Sequence, residues 1–192
     1  GSYQTAVTGL DALCHALESY WSKRATEASR VLSVTSAKLI FRNLKKAFSG
    51  HRNLLSREEM SLASLYAGLA ISNTGTTVCH SISYILTVGF EVPHGIACAV
   101  TLPFFIKFNS RHQPECITGL AKNLGFQNVD DFAEGVTGLL RELGFSQRLR
   151  DYGIRDADLG LIQQKSYSTS NIVNNCVGIT KKELRDILKK ML

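Results

Sequence analysis

Between Met60 and Ile106 the chain runs for 47 residues with one charged side chain, Glu91. A stretch so long and so apolar has to form the buried centre, because each large aliphatic side chain left in water forgoes about 1.5–3 kcal/mol. It cannot be a membrane span. Its longest nearly apolar run, Gly95 to Ile106, is 12 residues and carries Thr101 and Pro103, whereas a bilayer needs roughly 20. No segment has the pattern of a secretory leader. The 192 residues can bury roughly 70% of their unfolded surface, in one domain or at most two, with a minor boundary at Arg111 to Gln113 as the one candidate break. A hydrophobic content of 44% with only 15 Gly and 3 Pro excludes disordered and collagenous classes.

Helix start signals followed by 3.6-residue periodicity recur along the chain, and period-2 alternation is almost absent, so the expected fold class is all-α, a multi-helix bundle. Thr8 is placed to cap a helix to about Tyr20, and Thr26 one to about Phe48. Ser56-Arg57-Glu58-Glu59 reads as a capping box opening a helix to about Ser72. After a break at Asn73 to Thr77 comes a short helix, Val78 to Leu86, then a loop, Thr87 to Pro93. A further helix from His94 is ended or kinked by Pro103. Others are expected near 114–123, 129–143, 156–166 and 181–192, the last behind a second box, Thr180-Lys181-Lys182-Glu183. Gly125, Gly144, Gly153 and Gly178 fall where caps and turns need positive φ.

The net charge of +6 is local: Lys23 to Arg52 holds eight basic residues and one acidic. Lys38, Arg42, Lys45 and Lys46 share one helical stripe, which can touch phosphates. No aromatic stacking platforms interleave with it and no nucleic-acid-binding signature accompanies it, so a solvated face is the expectation, with no nucleic acid and no membrane as partners. The five cysteines are odd in number and lack a C-x-x-C spacing, as in a reduced, cytoplasmic protein. Cys14 and Cys79 each precede a histidine of interest, yet small buried thiols explain both.

The chemistry concentrates in two places. In Gly9-Leu10-Asp11-Ala12-Leu13-Cys14-His15-Ala16-Leu17-Glu18, Asp11 and His15 lie one turn apart on a single helical face and can reach one ion, with Glu18 a further turn along. The second place is Val78-Cys79-His80, followed fourteen residues later by Pro93-His94-Gly95. Each pattern has an ordinary explanation, an i, i+4 surface contact for the first and a hydrogen-bonded core imidazole for the second. Together they also suit a metal site with three nitrogens and one oxygen. Pro93 and Gly95 would fix the turn that aims His94 inward. His51 and His112 sit in polar surroundings and are assigned to the surface. Asn174, Asn175 and Cys176 are given no role.

At these residues the chain resembles the iron-containing (group III) alcohol dehydrogenases, through Gly-Leu-Asp-Ala-Leu-x-His-Ala-Leu-Glu at 9–18, Cys-His-Ser at 79–81 and Pro-His-Gly at 93–95. The resemblance implies metal ligation by Asp11, His15, His80 and His94. It implies the family's carboxy-terminal helical domain over the whole chain. The family's amino-terminal α/β domain, with its Gly-Gly-Gly-Ser phosphate loop, has no counterpart here, so the chain reads as an excised half for which Gly1-Ser2 is compatible with a cloning remnant. The implied cofactors are Fe(II), with zinc also suited to the donors, and NAD or NADP bound mainly by the other half. Many members carry a histidine four residues after the one matching His80, where this chain has Tyr84; Tyr84 either meets substrate or cofactor, or simply packs. Ser83-Tyr84 with Leu86-Thr87 resembles the branch that reduces phosphonoacetaldehyde.

The expected function is therefore a metal-dependent NAD(P) alcohol dehydrogenase or aldehyde reductase. Its substrate is a small alcohol or aldehyde, phosphonate-bearing in that branch. This half alone should bind metal without turnover, and a homo-oligomer is compatible with the sequence. Two rivals stand beside it. One is a lyase of the dehydroquinate synthase type, which shares the two-domain plan but is disfavoured by the Asp11/His15 spacing. The other is a helical nucleic-acid or protein-binding module using the stripe Lys38 to Lys46.

Overall fold

A computed structural model describes residues 1–50 and 53–192, and every regular element among them is helical. In chain order the α-helices are α1 (Ser2–Trp21), α2 (Glu27–Ser49), α3 (Leu54–Thr74), α4 (Val78–Phe90), α5 (His94–Ala99), α6 (Leu102–His112), α7 (Pro114–Leu124), α8 (Val129–Glu142), α9 (Leu159–Tyr167) and α10 (Lys181–Lys190). Short 3-10 turns occupy Leu149–Tyr152, Asp156–Asp158 and Ile172–Asn174. The expectation for His51 lies outside the described residues; His112 is exposed, as expected.

Helices α1, α2 and α3 pack on one another, α5 lies across α1 and α4, and α6 packs on α7 and α8 while α9 joins α4 to α10. One hydrophobic cluster runs through all of them, from Ala6 to Met191, and continues across the Arg111 to Gln113 junction through Phe105 of α6 and Ile117 of α7. α1 is the central element. From Gly9 to Trp21 every residue is buried except Asp11 and His15. The helix is thus sealed all round, apart from one polar strip one turn long.

Several boundaries differ from the sequence reading, each for a physical reason. α1 begins at Ser2, not Thr8, whose hydroxyl donates to the Gln4 carbonyl at 2.9 Å. Packing of Ala6 and Leu10 carries the helix back through residues whose propensity is poor. α3 is capped by Asn53, which accepts from the Ser56 amide at 3.1 Å. The reciprocal Glu59 bond of a capping box is not made because Glu59 accepts from the buried Asn43 amide instead. α4 continues to Phe90, shrinking the loop to residues 91–93. Glu91 adopts the left-handed conformation (φ 56) at its end and stays exposed, so the one charge in the apolar stretch costs no burial. The helical break comes at Val100 and Thr101, and Pro103 stands in the first turn of α6, where a missing N–H costs nothing. Gly125, Gly144 and Gly153 have positive φ; Gly178 does not. The box at Thr180 and Glu183 forms as read.

Candidate metal centre

Three elements converge on the exposed strip of α1. Asp11 and His15 come from α1, His80 from the first turn of α4, and His94 from the first residue of α5. Asp11 Oδ1 lies 3.8 Å from His15 Nε2, 3.6 Å from His80 Nε2 and 3.7 Å from His94 Nε2. The His15 ring stacks on His80 (centroids 4.9 Å, interplanar angle 12°), and the His94 ring meets His80 edge-on at 5.4 Å. All four residues singled out in the sequence therefore surround one point. Asp11, His15 and His94 are each part-exposed, so that point opens to solvent on one side.

His80 is held from behind. Its Nδ1 hydrogen-bonds the Glu18 carboxylate, which also accepts from the Thr77 hydroxyl and from the Cys79 amide at 2.7 Å. Thr77 in turn accepts from the Trp21 indole N–H at 3.1 Å. Glu18 is fully buried, so it orients the site and offers it no oxygen of its own. An ionised carboxylate only accepts, so Nδ1 is the protonated nitrogen and Nε2 points at Asp11. Four buried side-chain atoms among the described residues lack a hydrogen-bond partner, and two of them, Asp11 Oδ1 and His80 Nε2, meet here. Buried polar atoms are rarely left unpaired. Two that face each other with lone pairs are what a bound cation would satisfy, and the oxygen and imidazole donors are of the type divalent transition metals take.

Gly95 explains how α5 comes so close. A Cβ there would lie 1.9 Å from the Val7 carbonyl oxygen and 3.1 Å from the Asp11 amide. Any side chain would push α5 off α1, and His94 with it.

The charges follow from this enclosure. Burial pushes the Asp11 carboxyl up, and the close approach of His80 with the charges of His15, His80 and His94 more than reverses it, leaving Asp11 lowered. Burial likewise raises Glu18, and His80 with Thr77 brings it below its ordinary value. His80 is raised: burial disfavours its charged form, but Glu18 and Asp11 outweigh that. His15, lacking so close a carboxylate, is lowered by burial. Two inward carboxylates thus make a pocket for positive charge.

Other candidates fall elsewhere. Tyr84 is 40% exposed; its ring lies parallel to His94 at 6.2 Å and its hydroxyl accepts from the Asn171 amide at 2.9 Å. Asn174 donates to the Thr74 and Thr76 carbonyls, and Asn175 is buried against Asn109; both tie loops together. Lys38, Arg42, Lys45 and Lys46 are exposed, with Lys45 paired to Glu142 at 2.8 Å. A cavity of about 500 Å³ between α1 and α3 holds none of the donors. One residue escaped the sequence reading: Cys98, a turn after His94, whose Sγ lies 3.7 Å from His94 Nε2. The i, i+4 spacing from His94 was the available signal, the same one that drew attention to Asp11 and His15. Burial raises the Cys98 thiol, and its contacts with Cys14, His80 and His94 bring it well below its usual range.

Comparison with known proteins bears on this arrangement. The family model for the carboxy-terminal part of the Fe-containing alcohol dehydrogenases matches residues 5–192. The chain is 34% identical to a 1,3-propanediol dehydrogenase of Citrobacter freundii over 195 residues, covering 97% of this chain and 50% of that protein. It is 32% identical to a sulfoacetaldehyde reductase of Bilophila wadsworthia, covering 89% and 47%. The crystal structure of sulfoacetaldehyde reductase from Bifidobacterium kashiwanohense in complex with NAD+ superposes with a TM-score of 0.93 at 33% identity, over 97% of this chain and 50% of that one. The chain thus spans about half the length of the curated relatives it matches.

Proposed function

Because this chain belongs to the iron-containing alcohol dehydrogenase family, we propose that it supplies the metal-binding half of an NAD(P)-dependent alcohol dehydrogenase or aldehyde reductase. The observation that carries this reading is the facing pair of unpartnered buried atoms, Asp11 Oδ1 and His80 Nε2, with His15 and His94 closing around them. A divalent cation held by Asp11, His15, His80 and His94 supplies Lewis-acid polarisation of an alcohol or aldehyde oxygen. Iron is favoured by the family, and zinc suits the same donors.

The protein's own part is positioning. Glu18 fixes the tautomer and direction of His80, and Gly95 lets His94 approach Asp11. Tyr84 stands exposed beside His94 with its hydroxyl anchored by Asn171, and is the side chain offered to substrate or nicotinamide at the mouth. The dinucleotide is held mainly by an α/β half outside residues 1–192.

The substrate is a short aldehyde or the corresponding alcohol. Its anionic form, a two-carbon aldehyde bearing phosphonate or sulfonate, is supported by the resemblance at Ser83-Tyr84 and by the sulfoacetaldehyde reductases among the relatives. The setting is the cytoplasm, which suits five free cysteines. Anaerobically purified protein should hold about one divalent metal per chain by elemental analysis. Alone it should give no hydride transfer from NAD(P)H to small aldehydes. Joined in one polypeptide to a dinucleotide-binding half, it should reduce them, with highest kcat/KM for phosphonoacetaldehyde or sulfoacetaldehyde. Protein without metal overturns the reading; equal rates with neutral aldehydes of the same length overturn the anionic substrate only.

A further inference from the structure

Building on the metal-centre reading, we propose that Cys98 is an additional donor to the same cation, its Sγ joining Asp11, His80 and His94. Among the described residues, one ligand atom each from Asp11, His80, His94 and Cys98 lie within 4.8 Å of one another. His15 is outside that mutually close group, tied to it through Asp11 at 3.8 Å and by its stack on His80. Cys98 is fully buried, and its Sγ approaches Nε2, the nitrogen that His94 turns toward Asp11. α5 therefore offers an i, i+4 pair, His94 and Cys98, facing the i, i+4 pair Asp11 and His15 of α1.

The thiol is not alone in pointing there. His80 Nε2, 2% exposed and without a partner, faces the same point. Three of the six separations among these donors also fit a common ion. Metal–nitrogen and metal–oxygen bonds of about 2.0–2.2 Å and a metal–sulfur bond of about 2.3 Å put tetrahedral donors roughly 3.3–3.7 Å apart. The observed Asp11–His80, Asp11–His94 and His94–Cys98 distances are 3.6, 3.7 and 3.7 Å. Cys14 and Cys79 are buried nearby but outside the group. On binding, the Cys98 thiol would release its proton to solvent and the thiolate sulfur would donate an electron pair to the cation. A soft donor of this kind steers the site toward zinc, cobalt and cadmium and away from manganese and magnesium.

The test is to load the chain anaerobically with one equivalent of Co(II) and record its near-ultraviolet absorption and cobalt X-ray absorption. A thiolate-to-cobalt charge-transfer band and one sulfur in the first coordination sphere are expected. The band should vanish in Cys98→Ser with cobalt still bound, and persist in Cys116→Ser. The X-ray measurement on unmutated protein reads the same point should Cys98→Ser fail to fold. Bound cobalt with only nitrogen and oxygen neighbours overturns the role of Cys98 and leaves the metal centre standing. Failure of the unmutated protein to bind cobalt overturns both.

Discussion

Glu18 and His94 make opposite kinds of contribution to one site. Glu18 is buried and spends its carboxylate on Thr77, Cys79 and His80, so Glu18→Gln keeps the volume but presents an amide where a proton acceptor is needed. Metal affinity should fall about 10–100-fold, as for other outer-sphere partners of ligating histidines, read by competition with a chromophoric chelator; an unchanged constant would remove Glu18 from the centre. His94 is part-exposed, so His94→Ala should abolish tight binding while shifting stability by only about 0.5 kcal/mol. His80→Ala should instead destabilise the metal-free protein by about 3–5 kcal/mol, because it strands the Glu18 carboxylate in the interior. Denaturant melts of the two metal-free variants separate these cases. The four candidate ligands, which the structure brings together, were recognisable because Asp, His and Pro-His-Gly carry their identity in the chain. The place of Glu18 behind His80 and the role proposed for Cys98 were not, since each depends on which helix docks against its own.

At the scale of elements, the closeness of α5 to α1 is the weak point. Gly95→Ala places a methyl group against backbone that has no rotamer to yield. It should cost about 1–3 kcal/mol as overpacking and lower metal occupancy, whereas Gly68→Ala, with open space at its Cβ, should do neither. Equal metal content in both variants would show that helix spacing does not set the site. α10 gives a pH test. Glu183 accepts from the Thr180 amide and hydroxyl, which hold its carboxyl below the ordinary 4.5. A depressed carboxyl stabilises fully above 4.5, and that contribution is lost as pH falls through the lower folded value. Glu183→Gln should flatten this part of the acid limb, and Thr180→Ala should cost about 1 kcal/mol at neutral pH; an unaltered acid profile in Glu183→Gln would refute the assignment. Helix starts proved less legible than helix existence. Asn53 outcompeted Ser56 as a cap, and Ser2 to Thr8 became helical through packing that periodicity does not encode.

For the molecule as a whole, donors drawn from α1, α4 and α5 mean that a metal at the proposed centre would bind the folded chain and not the unfolded one. Added cation should raise the melting temperature in a concentration-dependent way, by about 2.7 kcal/mol of stability when free metal is 100 times Kd, and His94→Ala should remove the rise. A melting curve indifferent to metal would mean the donors do not act together. The all-helical class and the identity of the candidate ligands were determined by the sequence itself, since periodicity and residue chemistry are local properties of the chain. The expected burial from Met60 to Ile106 holds for Thr77 to Ser83 and Gly95 to Pro103, whereas α3 leaves Leu62, Leu65 and Leu69 exposed. Only the tertiary structure decided that α1 leaves Asp11 and His15 uncovered, that Glu18 stands behind His80 and that Cys98 faces the same point. Those facts turn on how closely helices distant in sequence approach, and that is set by packing across the core, down to the absence of one methyl group at Gly95.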